Sequence, residues 1–137
     1  LVIGFAIYNR EPEEPPAPTL TIASVSDLKG EVPEALRAIL RGGALPWRDG
    51  TVKHAQARAL SDGSTQSILV FSTYTRTDAI YNYFKDSFVR NGLPLVKNSF
   101  AGDSFTISAK SGSAVYTAST LTGARGVSLV NLSAVGR

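Results

Sequence analysis

The chain has no cysteine. Disulfides, thiolate metal sites and cysteine nucleophiles are therefore all excluded. It has one histidine, His54. A zinc centre needs three or four nitrogen, sulfur or carboxylate ligands, and no second His exists to supply one. No acidic cluster has the spacing of a calcium loop. The aspartates Asp49, Asp62 and Asp103 each stand at a turn, two of them directly before glycine, and read as turn formers. No G-x-S-x-G elbow and no phosphate loop is present; Gly123-Ala124-Arg125-Gly126 lacks the length and the lysine of a P-loop. No cofactor is expected. Lys and Arg never run consecutively, so the basic footprint of a nucleic-acid binder is missing and no nucleic acid is expected as a partner.

Charge is divided along the chain. Residues 1–18 hold Arg10 against Glu11, Glu13 and Glu14, while the remaining residues hold thirteen bases against eight acids. The length fits one domain able to bury a real core. Three parts are expected: residues 1–8 as an apolar anchor or partner-binding segment, 9–18 as a linker, and 19–137 as a single α+β domain.

Within residues 1–8, Leu1, Val2, Ile3, Phe5, Ile7 and Tyr8 make an uncharged, apolar stub. It is short of the ~20 residues that span a bilayer. Its terminal tyrosine suits an interfacial position at the end of a membrane helix. The other reading is a buried edge strand, or a helix end packed on a partner. Residues 9–18 contain four prolines, which exclude a helix or central strand and favour an extended spacer reaching about 30 Å.

The body opens with strand-like alternation over residues 19–25. A short helix is expected over 33–41, with Leu36, Ile39 and Leu40 inward and Gly42-Gly43 as its stop. Residues 51–60 and 66–73 read as strands around the Asp62-Gly63 turn. The second is a continuous apolar run, which predicts burial on both faces or a central position in the sheet. The main helix begins near Thr77, read as its N-cap. Ile80, Tyr81, Phe84 and Phe88 form its inward stripe, and Asn91-Gly92 stops it. Residues 93–134 alternate strands with short turns, which predicts an antiparallel meander of about four strands. The expected fold is therefore α+β, with one main amphipathic helix and one short helix packed on an antiparallel sheet. The hairpin and first strand either complete that sheet or form a second small layer.

Trp47, Tyr83, Arg76 and Arg90 are the candidates for a partner surface; Tyr83 departs from the inward stripe. Asn131-Leu132-Ser133 matches a glycosylation acceptor pattern of low specificity. The poverty of catalytic groups leans away from an enzyme. The expected role is a non-catalytic accessory or structural subunit of a membrane-associated assembly. Its body would lie on the periplasmic or extracellular side, with other subunits as partners and membrane contact through residues 1–8. The first alternative is an extracellular filament subunit using residues 1–8 as a donor strand. The second is a small-ligand binder or hydrolase, with His54 as its best catalytic group.

Overall fold

A computed structural model describes residues 22–40, 43–121 and 127–136. The expectations for residues 1–8 and 9–18 lie outside the described residues. So do those for residues 19–21, for Arg41 and Gly42, and for the 122–126 turn.

Among the described residues seven strands form one antiparallel sheet: β1 (Ile22–Asp27), β2 (Thr51–Leu60), β3 (Thr65–Thr73), β4 (Leu95–Ala101), β5 (Ser104–Ser111), β6 (Ala114–Leu121) and β7 (Ser128–Gly136). Their spatial order is β1-β2-β3-β7-β6-β5-β4. Residues 95–136 do form a four-strand meander. The hairpin and first strand extend that same sheet to seven strands, because β7 returns to pair with β3, Leu69 opposite Leu132.

Helix α1 (Thr77–Arg90) connects the two halves and lies on one face of the sheet. Its buried side chains are Ile80, Phe84, Ser87 and Phe88. They meet Leu69 and Phe71 of β3, Phe105, Ile107 and Ala109 of β5, Ala118 of β6, and Val130 and Leu132 of β7. The alternation of these strand residues puts them all on one side of the pleat. The N-cap is Arg76, one residue before the expected Thr77. The Thr77 hydroxyl lies 3.3 Å from that of Ser128 instead of capping a helical N–H. At the other end Gly92, with φ 68°, takes the left-handed turn, and the Leu93 N–H reaches the Phe88 carbonyl at 2.9 Å.

The short helix is corrected to a single 3-10 turn over Glu34–Leu36. Leu36, Ile39 and Leu40 are buried as its pattern required. What fails is the helical continuation. Beyond the turn, Ser87 of α1 donates its Oγ–H to Ile39 O at 2.5 Å, and Asn91, the C-cap of α1, donates Nδ2 to Ala38 O at 3.1 Å. The segment is too short to hold a helix by propensity, and these bonds satisfy carbonyls that a helix end would leave without a partner.

Of the two readings of the β3 run, the central position holds, since β3 is paired on both sides by β2 and β7, while burial on both faces does not. Ser67, Leu69, Phe71 and Thr73 are buried, while Gln66, Ile68, Val70 and Ser72 are only half-buried. α1 and the 3-10 turn pack on the former side. Among the described residues, no helix is long and apolar enough to cross a membrane.

Candidate functional site

The register defines the sheet face turned away from α1. One row across it runs His54, Val70, Asn131, Ser119, Thr106, Ser99. The next runs Gln56, Ile68, Ser133, Thr117, Ser108, Lys97, with Ser108 and Thr117 hydroxyls 3.2 Å apart. A third runs Arg58, Gln66, Val135, Val115, Lys110. Arg58 is steadied by Gln56, whose Oε1 accepts from Nε at 3.2 Å and Nη2 at 3.1 Å. Small hydroxyls therefore alternate with β-branched side chains over the open face, with bases toward its margins. The seven strands together carry one acid, Asp27, against Lys53, Arg58, Lys97 and Lys110. None of these rows contains an aromatic ring, so the stacking surface used by single-strand nucleic-acid binders is absent from them.

A groove of about 300 Å³ opens at one end of this face. Asp49, Thr51, Lys53, Ser72, Thr73, Tyr74, Val127 and Leu129 line it. A register irregularity between Val52 and His54 offsets Lys53 from the regular ladder. Asp49 accepts from the Tyr74 N–H at 2.5 Å through Oδ2 and from the Thr73 hydroxyl at 2.8 Å through Oδ1. The Tyr74 N–H, then the Thr73 hydroxyl, hold the Asp49 carboxyl below the usual carboxylate range. Both oxygens thus clamp the end of β3 to the loop before β2.

The clamp predicts a pH effect. The folded-state value is depressed, so its stabilisation is fully present above the ordinary aspartate value of about 4 and is lost as pH falls through the lower folded value. Asp49→Asn should lower the urea midpoint at pH 7. The gap from the wild type should narrow as pH falls below ~4, where the unfolded-state carboxyl protonates first and the folded one follows at lower pH. Parallel urea curves for the two proteins at pH 7 and pH 3 check this.

The residues singled out for a partner surface do not form one patch. Trp47 stacks on Phe71 with centroids 5.4 Å apart and meets Tyr83 at 5.2 Å and Phe84 at 6.1 Å. Trp47 and Tyr83 are partly buried against the core. Arg76 and Arg90 stand at opposite ends of α1, about 20 Å apart at 1.5 Å per residue. Arg76 pairs with Asp78 at 3.3 Å and Arg90 with Asp86 at 3.5 Å. The six apolar residues of the N-terminal stub lie outside the described residues.

His54 is exposed on the open face, and its register row contains no acid. Among the described residues no group of three His, Asp or Glu side chains is arranged to hold a metal. Asn131 of the acceptor pattern lies within the central strand β7, with Leu132 buried beside it. The open face itself had a sequence signal, the hydroxyl alternation along β5 and β6. Only the β3–β7 register shows that these positions form a continuous surface.

Comparison with known proteins found no matching family profile, no matching curated protein and no matching solved structure.

Proposed function

We propose that this chain is a non-catalytic structural or accessory subunit of a membrane-associated assembly. Its body lies on the extracytoplasmic side and is attached through residues 1–8. The open face of the sheet meets a neighbouring subunit of acidic character.

One observation carries the reading. α1 covers a single face of the seven-stranded sheet, and the other face presents half-buried Ile68, Val70, Leu129 and Val135 among hydroxyls. Isolated apolar residues on a surface need no explanation, but these lie on adjacent strands of one uncovered face, which supports a contact surface there. The strand charges favour an acidic counterpart through steering and register more than through affinity. The apolar stub and the proline-rich spacer of the sequence supply the attachment.

Two variants test the two halves. Removal of residues 1–18 should shift the protein from the membrane fraction to the supernatant; retention in membranes refutes the attachment. Thr117→Glu with Ser133→Glu puts two acids at the centre of the open face. This variant should lose co-purification with the assembly while keeping a wild-type far-UV spectrum. Unchanged co-purification by the folded double variant refutes the role of the face.

A further inference from the structure

Among the described residues the sheet has two edges, β1 and β4. Both are exposed, but β4 alone of the two is braced by the helix; every residue from Val96 to Ala101 is exposed, including Val96 at 62% and Phe100 at 43%. An exposed edge offers unpaired backbone groups to another strand.

The hydrogen-bond phase of β5 shows which groups β4 turns outward. The Phe105 N–H points toward β6, donating to Thr120 Oγ1 at 3.0 Å. The Lys110 N–H points the other way, to Pro94 O at 3.2 Å. Backbone direction alternates along a strand, and both bonds agree on the phase. Phe105 faces Phe100, and Ile107 faces Asn98, across the β4–β5 pair. Since Phe105 and Ile107 direct their backbone groups to β6, Phe100 and Asn98 direct theirs away from β5, to the open side. Ser99, opposite Thr106, is turned inward to β5.

Helix α1 fixes both outward residues. Tyr81 donates its hydroxyl to Asn98 Oδ1 and lays its ring 4.9 Å from that of Phe100. The edge is therefore held in extended form from the helix side before anything pairs with it.

We propose that β4 pairs antiparallel with β4 of a second copy, about a two-fold axis at Ser99, making a continuous fourteen-stranded sheet. In that register Asn98 and the partner's Phe100 exchange both backbone bonds, and the symmetric pair does the same. Ser99 meets its own copy as a closely spaced, non-hydrogen-bonded pair, where a small side chain fits. Lys97 falls opposite the partner's Ala101. The two copies of Lys97 are then four residues apart, about 13 Å along the strands, which exceeds the screening length of ~8 Å at physiological salt. The lysine that would protect a differently registered edge does not oppose this one. The axis stands normal to the sheet, so both α1 helices lie on the same side and both open faces on the other. The contact is isologous and closes at two copies. A single strand pair is small beside the ~1,600 Å² of a stable complex, so the dimer is weak and populated at high concentration.

The absence of native cysteine makes the test direct. Ser99→Cys places two sulfurs across the axis within disulfide reach, whereas Lys97→Cys places them far beyond it. Under mild oxidation Ser99→Cys should yield covalent dimer in at least about tenfold excess over Lys97→Cys. Ser99→Lys, at an exposed position, should remain folded and show no concentration-dependent rise in mass by light scattering, while the wild type shows one up to twice the monomer. Equal cross-linking of the two cysteine variants overturns the register. A wild-type mass that rises beyond two copies overturns closure and points to β4 pairing with the β1 edge of the next copy. A strictly monomeric wild type overturns the pairing itself.

Discussion

Phe84→Ala will destabilise the protein by about 3–5 kcal/mol. Phe84 sits at the centre of the α1 stripe and is fully buried. Its ring lies 6.3 Å from Phe71, 6.1 Å from Trp47 and 5.3 Å from Tyr83 by centroid distance. Truncation removes the transfer free energy of the ring and leaves a void whose walls come from β3, α1 and the Trp47 loop. Those three cannot all collapse inward, because the sheet register and the helix hydrogen bonds hold them. Against a domain stability of ~5–15 kcal/mol this loss is large. The urea midpoint should fall sharply with the slope unchanged, since the same surface is exposed on unfolding. Val89→Ala on the same helix is the control. Val89 is exposed, and its loss should stay within about 0.5 kcal/mol. A Phe84→Ala cost near that of Val89→Ala would mean that α1 is not seated on the sheet.

The stripe behind that prediction was legible because period 3.6 and burial agree. Ile80, Phe84 and Phe88 recur at i, i+4 and i+8 and are all buried. The hairpin at Asp62-Gly63 was legible for a different local reason. Gly63 adopts φ 85°, and Asp62 Oδ1 accepts from the Ser64 N–H at 2.8 Å, as the Asp-Gly signal implies. The features that were missed depend on distant partners. β3 and β7 lie about sixty residues apart, and no local pattern announces that Leu69 will face Leu132. Without that pairing, the apolar run of β3 reads equally as buried on both sides or as central in its sheet, and the sheet is read as about four strands with the hairpin's place left open. The 3-10 turn was missed for the same reason. Its apolar spacing is helical, yet the segment is too short to hold a helix by itself and is seated by Ser87 and Asn91, some fifty residues on.

The candidate site shows the same limit more strongly. Hydroxyl residues on alternate positions of β5 and β6 look like any solvated strand face until the register lines them up across six strands. The edge at β4 was less legible still. The outward direction of Asn98 and Phe100 follows from two bonds made by β5, and no residue type encodes it.

Trp47→Ala will cost about 3 kcal/mol, because this tryptophan joins the loop before β2 to the core. Tryptophan is enriched at partner surfaces, and the turn-rich sequence around Trp47 suggests such a role. Its contacts point inward. The indole stacks on Phe71 with an interplanar angle of 22° and meets Tyr83 edge-on at 62°. Its carbonyl accepts the Gly50 N–H at 3.0 Å, and this turn carries the chain toward Thr51. The same turn fixes Asp49, whose carboxylate clamps Thr73 and Tyr74 at the end of β3. Removing the indole therefore loosens the groove as well as the core. A residue serving only as a partner anchor would give a different result, with stability unchanged within ~0.5 kcal/mol and association lost. Urea curves followed by circular dichroism decide between these, since the variant lacks the only tryptophan and has no indole fluorescence to follow. Trp47→Phe should recover part of the loss by keeping a ring against Phe71. Equal midpoints for Trp47→Ala and the wild type would place the indole outside the core and return it to the surface role.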